Sequence, residues 1–157
     1  MTQVPLSKIK IETKIATIRE AIAEMEVLGK LSKKEFTTKT PNYAMADYFL
    51  RRALEATFDI CGHILSRFTY SPGRRPATYK ELAKAMGEKK IVSSDFANGS
   101  LFKMAGYRNR MIHFYDEVTP SELFEIVTKN LDDLEFFVKE VIKVFKNPKK
   151  YNLTIAE

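Results

Sequence analysis

The segment YRNRMIHFY, residues 107–115, brings together three side chains that could act on a phosphate group. Arg108 is a permanent cation, His113 titrates near neutral pH, and Tyr115 carries a phenol. An imidazole and a guanidinium suit cleavage of RNA without a metal ion. The imidazole exchanges a proton with the 2′-hydroxyl or the leaving 5′-oxygen, and the arginine stabilises the charge that develops on the phosphate.

Arg108 falls within an apolar stripe when the residues are placed at about 100° each around a helix. The other members of the stripe are Leu101, Met104, Ala105, Met111, Ile112 and Tyr115. Because burying an unpaired guanidinium is costly, this position requires a neighbouring anion, a bound phosphate or an open cleft.

The angular separation of Arg108 and His113 predicts a second subunit. The two residues lie about 140° apart on a straight helix, so one helix cannot easily direct both side chains at the same atom. Either the helix loosens after Ile112, or a partner completes the site. Gly99 and Gly106 fall near the His113 face, where the missing side chains would let another helix approach. This pattern favours a homodimer with two motifs facing a shared cleft, in which RNA phosphate is the transient counter-ion of Arg108.

Other polar residues near the motif or in loops have supporting interpretations. Asn109 could orient the phosphate or His113, and Tyr115 could donate to a phosphate oxygen. Arg74 and Arg75 stand in a loop punctuated by proline and glycine, TYSPGRRP. Solvated charge is the default for such a pair, and contact with phosphate is the alternative.

The remaining histidine and the single cysteine are expected to be structural. His63 lies on a long predicted helix without comparable neighbours, so we expect it to be structural or exposed. Cys61 is predicted to be a small core residue, and with no second cysteine it cannot form an internal disulfide. One cysteine and two histidines do not assemble a zinc site at familiar spacings, so we expect no metal.

Composition indicates one globular domain. The 157 residues are 45% hydrophobic and contain no linker-like run, so we assign residues 1–147 to one domain and residues 148–157 to a loose C-terminal tail. The start of the chain lacks the apolar core of a signal peptide, and no apolar run is long enough for a membrane span, which favours the cytoplasm. The net charge of +6 permits a nucleic-acid partner without requiring one.

Periodicity predicts an all-α, up-and-down bundle of about five helices. The first helix ends near Gly29, and the second begins at Pro41, capped by Thr40, and runs to about residue 69. The third helix opens with a Thr78–Glu81 capping box and ends near Gly87, and the fourth begins around Ser94 and carries the motif. The last helix opens with a Thr119–Glu122 capping box and closes at Lys146 and Pro148. The segment KKEFTTKT is assigned to a polar connection.

The sequence resembles the HEPN superfamily and, within it, the HepT-like toxins of prokaryotic HepT/MntA toxin–antitoxin pairs. LFKMAGYRNRMIHFYDEV, residues 101–118, is similar to the signature of that family, in which a hydrophobic run leads into Arg-Asn and then into His-x-Tyr. DICGHILSRF, the loop ending at Pro76 and the TYKELAKAM helix follow in the order of the family. The resemblance covers roughly residues 41–145.

This resemblance implies a helical homodimer that cleaves RNA without a metal ion or other cofactor. It implies that Arg108 and His113 are catalytic and that Asn109 is the polar residue that commonly follows the arginine. It further implies that an MntA-like nucleotidyltransferase antitoxin modifies Tyr115 with AMP. A bulky anion at that position would fill a phosphate-binding cleft and repel RNA.

Two alternatives belong to other functional classes. In the first, the same dimer is a non-catalytic substrate-binding subunit that partners a nucleotidyltransferase, and the Arg/His pair is structural. In the second, the chain is a general basic nucleic-acid binder, which predicts strongly salt-dependent binding without hydrolysis.

Overall fold

The fold is described here from a computed structural model, for residues 3–112 and 117–156. The helices are α1 (Lys8–Leu28), α2 (Lys33–Thr38), α3 (Thr40–Leu65), α4 (Tyr79–Glu88), α5 (Ser94–Asn98), α6 (Ser100–Ile112), α7 (Pro120–Lys129) and α8 (Leu131–Lys146), followed by a 3₁₀ turn at Pro148–Tyr151. Two short strands, β1 (Leu6–Ser7) and β2 (Ile155–Ala156), pair in parallel. The predicted helical fold is confirmed in its predominant character, although the described residues also contain this strand pair and more helices than the five expected.

The core forms where α1 lies along α3, with α7 and α8 packed against α1. The apolar stripe of α1 is buried as its period predicts, and α1 ends at Gly29. The α3 residues on the facing side are also buried, and complete burial of each such aliphatic or aromatic side chain stabilises the fold by about 1.5–3 kcal/mol. On the other side of α3, α4 and α6 pack against it and against each other. The motif helix α6 is therefore held by α3 and α4, and α5 also packs against it.

Two of the predicted long helices are interrupted. The helix expected from Ser94 breaks at Gly99, where a Cβ atom would lie only 2.7 Å from the backbone oxygen of Asp95. The helix expected to run from Thr119 to Lys146 breaks at Asn130, which separates α7 from α8. The apolar period continues across both breaks, so periodicity alone does not reveal them.

The segment KKEFTTKT contains a helix, which corrects its assignment as a polar connection. The Ser32 side chain accepts a hydrogen bond from the Glu35 amide and caps α2. Phe36 is fully buried, and its ring centroid lies 5.3 Å from that of Phe124. The buried Phe36 side chain thus attaches the short, polar helix α2 to the bundle.

Helix ends follow the predicted capping rules in part. The Thr119–Glu122 capping box at the start of α7 is complete, as predicted. At α4, the Thr78 hydroxyl accepts from the Glu81 amide, but the Glu81 carboxylate accepts from the amide of Ala77. The N-cap of α3 is the residue before Thr40, and α3 ends at Leu65 rather than near residue 69.

The C-terminal segment is not the loose tail that composition suggested. Tyr151 and Leu153 are buried, and the Leu6 amide donates to the carbonyl of Thr154 at 2.8 Å. The side chain of Gln3 also donates to the carbonyl of Asn152. Residues 148–156 therefore close over the start of the chain. Within the described ranges, no helix combines the length and the apolar character needed to cross a membrane.

Candidate active site

Arg108 lies on α6 as the sequence places it, on a face shared with buried apolar side chains. Its guanidinium Nε donates to the Glu55 carboxylate of α3 at 2.6 Å. The Arg108 side chain is 15% exposed and that of Glu55 is 45% exposed, so the pair spans the boundary between interior and solvent. The predicted stripe is confirmed for Leu101, Met104 and Met111, whereas Ile112, which was also assigned to it, is half exposed.

The guanidinium of Arg108 also contacts an aromatic ring. The Arg108 Cζ atom lies 4.0 Å from the ring centroid of Tyr79, the first residue of α4. Tyr79 in turn packs edge-on against Phe58 of α3, at a centroid separation of 5.4 Å. A cation held over a ring and by a charged hydrogen bond has little freedom to reorient.

These contacts revise the expectation for the counter-ion of Arg108. The sequence required an anion, a phosphate or a cleft, and we expected RNA in a shared cleft to supply the charge. Within the chain itself the anion is Glu55. This pair uses only Nε, and no hydrogen bond in the described part of the chain engages the two terminal nitrogens of Arg108. Arginine can bind a phosphate in a bidentate manner through its terminal nitrogens.

Two cavities meet at the end of α6. The smaller, about 190 Å³, is lined by Arg51, Leu54, Glu55, Arg108, Met111 and Ile112. The larger, about 570 Å³, extends from Met111 and Ile112 over Asp47 of α3 to the start of α7. Arg108 therefore borders an open space, and Arg51, ion-paired with Asp47, lies between the two cavities.

A second arginine of the motif helix joins it to α7. The terminal nitrogens of Arg110 donate to both carboxylate oxygens of Glu122, at 2.7 and 2.9 Å, and one of them also reaches the carbonyl of Glu117. Glu122 also accepts from the amide of Thr119 in the capping box. The hydrogen bonds from Arg110 are the main reason that the pKa of Glu122 falls to about 2. This bidentate pair joins the last turns of α6 to the first turn of α7.

The sequence-predicted site residues are only partly brought together in the described structure. Asn109 is on α6 and partly buried. His113 and Tyr115 lie outside the described residues, so their roles stay predictions. Arg74 and Arg75 are exposed in the loop between α3 and α4.

The two glycines assigned to a helix-approach face differ. A Cβ at Gly106 would meet no atom within 4 Å, consistent with an open face. Gly99 instead serves the break before α6, because a side chain there would collide with the Asp95 carbonyl. The expectation that Gly99 admits a neighbouring helix is therefore replaced by a local backbone requirement.

Cys61 is a core residue as predicted, and His63 makes a contact within the fold. Cys61 is fully buried, and burial raises the pKa of its thiol. His63 Nε2 accepts a hydrogen bond from the Ser7 amide at 3.0 Å. Burial, together with the nearby charges of Arg67 and Lys10, lowers the pKa of His63 and so favours the neutral imidazole. Among the described residues, no three His, Cys, Asp or Glu side chains lie close enough to hold a metal ion.

Sequence reasoning missed Glu55, Tyr79 and Arg110. Glu55 directly follows Leu54 in the α3 stripe, and an acidic residue beside a buried stripe is a signal that could have marked it as a partner for a buried cation. Tyr79 follows the predicted N-cap Thr78. Neither position indicates which helix it will face, because that depends on tertiary packing.

Comparisons with known proteins agree with this architecture. The chain is 21% identical over 131 residues to a tRNA nuclease HepT from Aphanizomenon flos-aquae, which covers 83% of this chain and 86% of that protein. It is 27% identical over 133 residues to an mRNA nuclease HepT from Shewanella oneidensis, covering 83% and 93%.

Solved structures share the fold. A toxin–antitoxin complex crystallised with AMP-PNP matches with a TM-score of 0.73 at 22% identity, covering 85% of this chain and 98% of that one. A tri-AMPylated HEPN toxin from Shewanella oneidensis, in complex with MNT antitoxin, matches with a TM-score of 0.70 at 22% identity, covering 85% and 97%. The sequence model of the family described as Ribonuclease HepT-like matches residues 18–141. The chain therefore belongs to the HepT-like ribonuclease family.

Proposed function

We propose that this protein is the toxin of a toxin–antitoxin pair, a metal-independent endoribonuclease whose active site is built around Arg108 and His113. The observation that carries this proposal is the state of Arg108. Its guanidinium is fixed by Glu55 and Tyr79, leaves its terminal nitrogens available among the described residues, and borders an open cavity. The relatives named as tRNA and mRNA nucleases support an RNA substrate.

In the proposed reaction the arginine binds a phosphate and the imidazole moves the proton. Arg108 holds the scissile phosphate through its terminal nitrogens and stabilises the charge that it gains in the transition state. His113 takes the proton from the 2′-hydroxyl or returns one to the leaving 5′-oxygen. Asn109 orients the phosphate or His113, and the Arg110–Glu122 pair positions the segment on which His113 lies.

We further propose that the active site lies in a cleft between two copies of the chain. Two imidazoles would then be available for acid and base roles. The open surface at Gly106 and the half-exposed Ile112 at the end of α6 support this arrangement, because both leave room for a second helix beside the motif. Sharing the site also resolves the angular separation of Arg108 and His113 on one helix.

Regulation is proposed to act on Tyr115 through an MntA-like nucleotidyltransferase antitoxin. The AMPylated state of a HEPN toxin seen in complex with MNT antitoxin supports this mechanism for a related fold. An AMP group on a side chain two residues beyond His113 would bring an anion next to the phosphate site and exclude RNA by repulsion.

The test is RNA cleavage by purified, unmodified protein free of antitoxin. His113→Ala should abolish cleavage while the protein keeps its fold and its oligomeric state. His63→Ala is the matched control, since it removes the only other histidine, which lies on α3 and bonds to the Ser7 amide. Wild-type protein that cleaves no RNA would refute the nuclease proposal and leave the non-catalytic binding subunit as the better description.

Mixing two inactive variants tests the shared cleft. If each site takes Arg108 and His113 from different subunits, heterodimers of Arg108→Ala and His113→Ala protomers contain one complete site and should regain part of the activity. A mixture that exchanges subunits yet stays inactive would exclude such sharing.

A further inference from the structure

The positive charge of this chain is concentrated in one stretch. Residues 67–103 contain eight Lys or Arg and three Asp or Glu, a net charge of +5 out of +6 for the whole chain. This stretch forms the loop after α3, then α4, α5 and the start of α6, and these three helices pack against one another. One side of the molecule is therefore markedly cationic, and a polyanion would be attracted to it.

Within this stretch, two lysines of α4 are gathered around one aromatic ring. The Nζ atoms of Lys80 and Lys84 each lie 5.4 Å from the ring centroid of Phe102 on α6. Both lysines are exposed, and neither has a carboxylate partner in the parts of the chain that the structure describes. Two ammonium groups attracted to the same ring repel each other, so an anion bound between them is stabilised.

This lysine pair adjoins the candidate active site. Lys80 directly follows Tyr79, whose ring supports the guanidinium of Arg108. Arg74 and Arg75 precede α4 in the exposed loop and extend the same surface. Along α4, Lys84 and Lys80 lead back toward Tyr79 and Arg108 at the start of the helix, so a chain of phosphates that follows α4 would pass over Lys84 and Lys80 toward Arg108.

We propose that Lys80 and Lys84, together with Arg74 and Arg75, form a surface that binds the sugar–phosphate backbone of single-stranded RNA and guides it to Arg108. This inference rests on the proposed function and names the route that the substrate takes. Long, flexible lysine side chains suit contacts with phosphate that do not depend on base sequence. Contiguity with Arg108 favours RNA over an acidic protein as the partner.

The test is salt-dependent binding of a short, fluorescently labelled single-stranded RNA, followed by anisotropy in the His113→Ala background so that the probe stays intact. A Lys80→Ala/Lys84→Ala double variant should bind roughly tenfold more weakly. The slope of the logarithm of its RNA-binding constant against the logarithm of salt concentration should be shallower than that of the His113→Ala protein by about 1.4, because each phosphate contact on a single strand contributes about 0.7. Lys33→Ala/Lys34→Ala is the matched control, because it removes two exposed lysines from α2, which packs against α3 and α7.

The control variant should keep the wild-type affinity and salt slope. Equal losses in both double variants would show a general charge effect and overturn the inference. Wild-type RNA binding by the α4 variant would also overturn the inference. This holds even if that variant lost affinity for an acidic partner protein.

Cleavage separates this inference from the proposed function. With His113 present, the α4 variant should lose kcat/KM roughly tenfold and keep its rate at saturating RNA, because the lysines bind substrate without touching the reacting atoms. If wild-type protein cleaves RNA and the α4 variant cleaves it equally well, only the binding surface fails. If the lysines prove necessary for RNA binding but no protein cleaves RNA, the surface stands and the nuclease proposal fails.

Discussion

Replacing Glu55 with glutamine tests whether this carboxylate holds Arg108. The substitution keeps the size of the side chain and an oxygen that can accept from Arg108 Nε, and it removes the charge. Because Arg108 is only 15% exposed, its guanidinium then loses its anionic partner in a largely desolvated position. The Tyr79 ring, 4.0 Å away, still supports the cation.

The magnitude follows from the burial of the two partners. Opposite charges about 4 Å apart attract by about 4 kcal/mol at an effective dielectric constant near 20. Glu55 is 45% exposed, so water screens much of this attraction and also solvates the free carboxylate. We therefore expect Glu55→Gln to lower the free energy of unfolding by about 1–2 kcal/mol, within the range for hydrogen bonds to charged groups.

Urea denaturation measures the effect directly. With a slope of about 2 kcal/mol per molar urea, the midpoint should fall by about 0.5–1 M. RNA cleavage should fall roughly 10- to 100-fold, because a displaced guanidinium no longer meets the phosphate. Asp59→Asn is the matched control, because Asp59 lies on the same helix as Glu55 and forms an exposed ion pair with Lys14 of α1. Breaking that pair should cost less than about 0.5 kcal/mol.

A wild-type midpoint for Glu55→Gln would refute the conclusion that Glu55 stabilises Arg108 in the folded protein. Equal losses in Glu55→Gln and Asp59→Asn would instead assign the effect to the net charge of α3. A stability loss without any loss of cleavage would show that the pair is structural and that the reaction does not depend on the orientation of Arg108.

Three further predictions concern stability. The native pKa of Glu122 is lowered from 4.5 to about 2, so its bond with Arg110 contributes stability that is present above about pH 4.5 and is lost as the pH falls toward 2. The Glu122→Gln variant should be less stable than wild type at neutral pH. In urea titrations, its free energy of unfolding should also decline less than that of wild type between pH 4.5 and 2. The pKa of His63 is also lowered, by burial and by the charges of Arg67 and Lys10, so its contribution is present above pH 6.5 and is lost as the pH falls through the lower native value. His63→Gln should remove this part of the pH dependence, and an unchanged profile would contradict the burial of the neutral imidazole beside these two cations. Gly99→Ala should destabilise the fold by roughly 1–3 kcal/mol in thermal unfolding, because its Cβ would collide with the Asp95 carbonyl. A Cβ at Gly106 meets no atom of its own chain within 4 Å, so Gly106→Ala should match or exceed wild-type stability in the monomer, whereas in the proposed homodimer it would crowd the second helix.

Several helix ends could be predicted because capping and glycine effects act between residues that are close in sequence. The Thr119–Glu122 box and the end of α1 at Gly29 are of this kind. The breaks at Gly99 and Asn130 were not predicted, since the apolar period continues across them and periodicity records only which face is buried. The helix at residues 33–38 was missed because a single aromatic side chain, Phe36, anchors it.

Contacts between distant segments could not be predicted from local patterns. The C-terminal residues pair with β1, and Gln3 bonds to Asn152 across 149 positions of the chain. No spacing rule connects such segments, because their approach depends on how the helices between them pack. The loose tail predicted from composition was therefore wrong for residues 148–156.

The sequence by itself determined that an arginine would stand on the buried face of the motif helix and that it would need compensation, because helical periodicity and the cost of burying a charge are local and general. It also identified the family, through the order of Arg108, Asn109, His113 and Tyr115. Only the tertiary structure decided what compensates the arginine. Glu55 lies 53 residues earlier in the chain and Tyr79 opens a different helix, and both reach Arg108 because α3, α4 and α6 pack against one another.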